Sequence, residues 1–434
     1  MKSIIKQSAV ILGITASLLT TGCKKEFTNP NAATDGQVFS SPRGLTGVAI
    51  GLQRLYSSGR AGSLFNIVTA NGFVTNELFL VNPGNLPEAQ LNAGGGSVDP
   101  TNTILANIWA NASKVVYDAD KVIAAAQNLP DKGYASGLIG YSTIFKALSL
   151  GSVSMFWEKV PESIGTNVTF ADRMQGYALA ITAIDQALAN INANPIAPSL
   201  LANIPAGIDI VNTLYALKAR YALFMGNYTQ ALTSANTVDL TKRSFFNYDA
   251  LNLNPIFETS TATNNVFQPI DSTLGLPIGL RPAANDLRVG FHTSINSTVA
   301  PRFRLAGFAA TGSTPIPIYT PDEMRLIKAE ALVRQANPDF AAAKVHLDAV
   351  LTQAPSADVF GVGAGLPAYS GPLDTPSLLA EIYRNRSIEL FMSGLKLEDM
   401  RRFQRPLTER KRNFFPYPFR ERDNNINTPV DPNF

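Results

Sequence analysis

Cys23 is the only thiol in the chain, and it stands directly behind Thr20-Thr21-Gly22. A lone thiol behind small residues can be acylated. It cannot close an intramolecular disulfide or build a cysteine-cluster metal site. His292 and His346 are the only imidazoles, too few for a multi-histidine centre, so neither a metal nor a cofactor is expected. Catalysis has little to draw on. The chain lacks a G-x-S-x-G nucleophile elbow, an H-E-x-x-H helix, a G-x-x-x-x-G-K-[ST] phosphate loop and a dinucleotide fingerprint. Glu77, Asp99 and Asp118 carry carboxylates, but acid/base pairing needs a separation that sequence does not set. These residues favour binding over turnover.

The segment around Cys23 is an address. Lys2 and Lys6 precede an apolar run, Ala9 to Leu19, which is shorter than the roughly 20 residues a membrane-spanning helix needs. Residues 1–22 therefore read as a secretory signal, and Thr20-Thr21-Gly22-Cys23 looks like a lipobox whose Cys23 takes the lipid. Acyl chains contribute about 0.8 kcal/mol per buried methylene, enough in combination to hold a protein on a membrane. Residues 23–37 are a polar tether, and residues 38–434 form one domain. The chain has 36 Lys+Arg against 33 Asp+Glu, a formal +3. Loss of Lys2 and Lys6 leaves it nearly neutral, which argues against nucleic acid and against a partner selected by bulk charge.

The body reads as mainly α. Residues 41–57, 101–128, 134–157 and 172–192 carry helical apolar stripes. Residues 212–237 place Tyr215, Ala219, Ala222, Gly226, Tyr228, Ala231 and Ala235 near the spacing of a tetratricopeptide unit, with Gly226 at the turn and Tyr228 beneath it. Residues 321–351 repeat the design through Ala329, Ala331, Phe340, Ala343, Leu347 and Val350. The expected fold is a tetratricopeptide-like helical repeat scaffold with long loops and a few short strands. Residues 70–100 and 355–376 read as long loops. Residues 239–318 read as a loop-rich insert, with strands near Val266-Phe267 and Ile316-Pro317-Ile318.

In order along the chain, several elements resemble the SusD/RagB group of outer-membrane nutrient-binding lipoproteins. The start Cys23-Lys24-Lys25-Glu26-Phe27 is similar, as is Gly51-Leu52-Gln53-Arg54-Leu55-Tyr56. Asn285-Asp286-Leu287-Arg288 resembles a D-x-R element, and Glu323 to Leu332 an E-x-x-L-x-x-A-E-A helix. Ile382, Arg386, Glu389-Leu390, Gly394, Asp399 and Arg402-Phe403 fall on a C-terminal pattern that usually carries glutamates where Asn385 and Ser393 stand. On residues alone, Arg386 with Glu389, and Asp399 with Arg402, are spaced to pair on one helix face.

The resemblance implies a lipid-anchored protein on the outer membrane, probing the cell exterior. It would capture an oligosaccharide or another oligomeric nutrient and pass it to a SusC-like TonB-dependent transporter. Sugar rings want flat aromatic faces, and their hydroxyls want amides or guanidinium groups. The 73–92 region supplies Phe73, Asn76, Glu77, Phe79, Asn82, Asn85, Gln90 and Asn92, and the later region supplies Asn285, Arg288, Phe291 and His292. Of these, Asn76, Phe79, Asn82, Asn85, Gln90, Arg288 and Phe291 are the ligand-site candidates. Phe73 and Phe79 also fit core anchors for a loop, Trp109 fits the core, the two histidines read as ordinary polar residues, and Trp157 fits either core or surface. The competing reading is a lipid-anchored helical-repeat scaffold that binds protein partners only.

Overall fold

The computed structural model describes residues 34–262, 265–298, 300 and 302–433. Cys23, the 1–22 signal and most of the tether lie outside them. After a short helix, Asp35–Phe39, the body opens with α1 (Pro42–Ser57) and α2 (Ser63–Val74). Next come β1 (Leu78–Leu80), α3 (Leu86–Ala93), α4 (Thr103–Ala126) and α5 (Lys132–Phe156). The hairpin β2 (Lys159–Pro161) and β3 (Phe170–Asp172) leads to α6 (Met174–Ala193). The pair α7 (Ile210–Phe224) and α8 (Tyr228–Thr237) is followed by a region of short strands and the helix α9 (Leu287–His292). The chain closes with α10 (Pro321–Arg334), α11 (Phe340–Leu351), α12 (Thr375–Glu389), α13 (Lys396–Arg402) and α14 (Phe419–Asn424). This is a mainly helical, tetratricopeptide-like fold.

One local device starts most of the long helices. A short polar side chain accepts a hydrogen bond from a first-turn amide that the helix itself leaves unpaired. Ser41 caps α1, Asn102 α4, Asp131 α5 and Asp209 α7. Asn227, Thr320, Asp339 and Asp374 do the same for α8, α10, α11 and α12. The turn between α7 and α8 runs through Gly226 at φ 76°, a region that L side chains resist. The Tyr228 ring lies beneath it, with its hydroxyl 3.7 Å from where a Cβ would sit. Small residues set the helix spacing. A Cβ on Gly151 of α5 would fall inside the Tyr221 ring of α7, which stacks on Tyr177 of α6 at 5.5 Å.

The core is one large apolar cluster through α1–α8, joined by a smaller one in which Leu326 and Ala329 of α10, Leu347 and Val350 of α11, and Leu378 and Ile382 of α12 interlock. The strands form four antiparallel pairs among the described residues. β1 pairs with β5 (Phe267–Pro269), and β4 (Phe245–Phe246) with β8 (Ile316–Pro317). β6 (Thr293–Ile295) pairs with β7 (Phe303–Leu305). The strands expected near 266–267 and 316–318 are therefore present.

Two expectations are corrected. Residues 70–100 are not a long loop: they hold the end of α2, then β1, then α3. Every residue of α2 is buried, so it has no polar face and no amphipathic stripe to read. The start of α3 has Pro87 in its first turn, and its end has Gly94 at φ 72°, both ordinary helix boundary signals. The second correction concerns Arg386. It does not pair with Glu389 on its own helix. Its guanidinium turns to Asp399 of α13, Nε to Oδ2 at 2.9 Å and Nη2 to Oδ1 at 3.0 Å. The Asp399–Arg402 pair does form, at 2.7 Å. Trp109 and Trp157 are both core.

Candidate functional site

The surface best suited to a flat polar ligand is the turn from β1 into α3. β1 pairs with β5 in a register that sets Phe79 opposite Gln268. Phe79 is 47% exposed, a large apolar ring left in solvent. The chain then turns over Asn82, whose Oδ1 accepts from the Gly84 amide at 3.1 Å. The Asn85 amide nitrogen donates to the Asn82 carbonyl at 3.2 Å, and Asn85 Oδ1 accepts from Arg60 Nη2 at 3.2 Å. Arg60 is braced by the buried Glu88 and lies 5.8 Å over the Phe65 ring. Two amides and a half-exposed guanidinium are thus joined by hydrogen bonds at this turn, and the exposed Phe79 ring stands on the strand that leads into it. Such a set can stack on the apolar face of a sugar and bond its hydroxyls. Arg60 was not singled out from sequence, although a lone arginine in the glycine-flanked stretch Gly59-Arg60-Ala61-Gly62 was visible.

The structure joins Asn82 to Asn85, with the exposed Phe79 three residues before Asn82 on β1, and gives the other candidates different surroundings. Asn76, at φ 61°, donates to the Glu409 carbonyl at 3.0 Å. Gln90 bridges Asp99 and Asn102, at 2.5 and 2.7 Å. Asn92 accepts from Lys411 at 3.1 Å. Phe73 is buried. Glu77 is buried too, held by Asn71 at 2.9 Å, and burial raises its carboxyl above the ordinary range. Arg288 is fully buried and bonds Asp286 at 3.0 and 2.8 Å and Asn385 at 2.8 Å. Phe291 is half-buried, edge-on to His292 and Phe308, both at 5.1 Å. No hydrogen bond or ring contact among the described residues joins Arg288 or Phe291 to the 79–86 turn. Asn285 is exposed.

Arg288 belongs instead to a buried acid-rich knot. It pairs with Asp286 and approaches Glu389 at 3.7 Å, while neither Glu389 oxygen has a hydrogen-bond partner among the described residues. Burial pushes the Glu389 carboxyl well above the usual range, with Asp322 adding to it, and the Asp322 carboxyl itself rises to about 6. His292 beside them is held neutral by burial, its imidazole lowered to about 3. Glu389 and His292 also line an internal, mostly apolar cavity of about 100 Å³. A carboxyl raised on folding stabilises the fold while protonated, and that contribution fades as pH climbs through its folded value. Glu389→Gln keeps the neutral shape. Relative to wild type, its melting temperature should therefore rise between pH 5 and pH 8, a gain on the order of 1 kcal/mol at the upper end. A difference that stays flat with pH would show Glu389 ionised throughout.

No protein-family model and no curated protein matches the sequence. Solved structures do. A SusD superfamily protein from Parabacteroides distasonis superposes with a TM-score of 0.69 at 13% identity, over 93% of this chain and 100% of that one. A SusD-like carbohydrate-binding protein from Bacteroides fragilis gives 0.64 at 13%, over 85% and 87%. A laminarin-binding SusD-like protein gives 0.61 at 15%, over 91% and 99%. The class is thus a helical-repeat protein elaborated with short strands and loops, and the fold is SusD-like. Among the described residues, no helix is long and apolar enough to cross a membrane.

Proposed function

We propose that the protein is a nutrient-binding lipoprotein of the outer membrane. Residues 1–22 direct export, Cys23 carries the lipid, residues 23–37 form a tether, and residues 38–434 are a single ligand-binding body facing the exterior. It binds an oligosaccharide without turning it over and hands it to a SusC-like TonB-dependent transporter. The observation that carries the reading is the exposed Phe79 ring on the strand that runs into the Arg60-braced Asn82–Asn85 turn, on a SusD-like fold. Support comes from the solved neighbours described as carbohydrate- and laminarin-binding. The near-neutral charge fits a neutral sugar.

Glycan-array screening followed by titration of the best ligand tests it. The double substitution Phe79→Ala with Asn82→Ala removes the ring and one amide, and should weaken binding about 10- to 100-fold, the scale of a lost interface anchor. Unchanged affinity in the folded variant would move the site elsewhere. A product that runs as a free, unacylated chain in the membrane-fractionated cell would rule out the anchor.

A further inference from the structure

A second concave site lies well apart in sequence from the 79–86 turn. It is a cleft of about 320 Å³ between the end of α10, the first half of α12 and the turn after α13. Arg334, Arg402 and Arg405 line it, with the Tyr383 and Phe403 rings. The guanidinium groups lie on these rings. Arg334 is 4.8 Å and Arg402 5.1 Å from the Phe403 centroid, and Arg405 is 5.3 Å from that of Tyr383.

All three arginines are used in the same way. Arg334 gives Nε to Glu330 at 2.8 Å and Nη2 to the Arg402 carbonyl at 3.2 Å. Arg402 gives Nε to Glu330 at 2.7 Å and Nη2 to Glu330 and Asp399 at 2.9 and 2.7 Å. Arg405 gives Nε and Nη2 to Glu409. Among the described residues, Nη1 has no protein hydrogen bond in each case, and that of Arg402 is buried. The charges do not balance either. Among the described residues, Arg334, Arg386, Arg402 and Arg405 share only Glu330, Asp399 and Glu409. Arg410 adds another cation, bonded at Nη1 to the Arg405 carbonyl.

A recessed site with surplus positive charge and spare guanidinium donors attracts an anion with several acceptor oxygens. We propose that this cleft binds an oxyanion group, a carboxylate or sulfate, carried on a sugar ring or free in solution. Arg334 and Arg405 make the direct contacts at the rim, and Arg402 holds the positive field behind them. The proposal stands whether or not the 79–86 turn is the nutrient site.

The test titrates the intact mature protein at low salt with glucuronate, inorganic sulfate and glucose. Glucuronate and sulfate should bind saturably and compete with each other, and glucose should not displace either. Tighter glucuronate than sulfate assigns the site to a sugar-borne anion, and the reverse to a free one. Arg405→Gln and Arg334→Gln should each weaken both anions at least tenfold while melting within a few degrees of wild type. The wild-type competition decides the matter if either variant fails to fold. Absence of saturable anion binding to wild type, binding without mutual competition, or full affinity in both folded variants would overturn the proposal.

Discussion

Glu330→Gln should be among the most damaging single substitutions in the body, lowering stability by about 3–5 kcal/mol. Glu330 is fully buried on α10 and receives Arg334 at 2.8 Å and both donors of Arg402 at 2.7 and 2.9 Å, with Arg386 at 3.9 Å. Among the described residues, Asp399 is the only other carboxylate bonded to these three arginines. Burial alone would raise its carboxyl, but Arg386 and Arg402 outweigh that and hold it low. Removing one of two buried carboxylates leaves guanidinium charge in a poorly solvated interior, and that residue of uncompensated charge sets the cost. Because the knot ties α10, α12 and α13 together, the loss cannot stay local. Lys114→Ala makes the contrast. Its pair with Asp118 lies on the surface of α4, where such a pair contributes about 0–1 kcal/mol. Thermal unfolding of the two variants side by side checks the argument. Equal melting temperatures would mean that the knot is solvated in a way its burial does not suggest.

The same knot shows what sequence could convey. The spacing of Asp399 and Arg402 announces a pair on one helix face, and that pair forms. The spacing of Arg386 and Glu389 announces another just as clearly, and it does not form. Helical spacing brings side chains to one face but says nothing of the neighbour packed there, and here Asp399 outcompetes Glu389 for the guanidinium. Arg288 is the sharper case. As a cation in a polar stretch it suits a ligand; Asp286 is local, but Asn385 and Glu389 reach it only through tertiary structure. The helices with a polar face were legible, together with the Gly226 turn. α2 was not, because a helix buried on every side has no periodic contrast. Phe79 was legible as a candidate because an aromatic ring in a polar, Asn-rich stretch offers a flat face to a sugar, although the strand that carries it reads as loop in sequence. Its partners Asn82 and Asn85 follow from the same short turn, whereas Asn76 and Gln90 are taken up by chain segments that sequence does not place nearby.

Trp157→Ala should cost a comparable amount, about 3–5 kcal/mol for a large ring lost from the core, and should also free the C-terminal segment. Trp157 is fully buried and donates to the Pro416 carbonyl at 2.9 Å. It meets Trp109 edge-on at 4.9 Å and Phe415 at 6.4 Å. Trp109 in turn donates to Glu421 of α14 at 3.0 Å. The two indoles, packed on each other, thus hold residues 415–421 through a hydrogen bond each. Upstream, the same segment is stitched to the body by Lys411 N–H to the Val74 carbonyl at 2.8 Å and by Asn76 to the Glu409 carbonyl at 3.0 Å. Those bonds fix the backbone that leads into β1 and Phe79. Losing that hold should expose the arginines at 420 and 422 to trypsin and weaken ligand binding through a turn the mutation does not touch. Trp157→Phe keeps most of the packing and gives up one hydrogen bond, so it should cost only about 1–3 kcal/mol. Limited trypsin digestion, read beside ligand affinity, tests the coupling. Rapid cleavage with full affinity would show that the tail is anchored independently of the binding turn, and resistance to cleavage would show that Phe415 and Tyr417 hold the tail without Trp157.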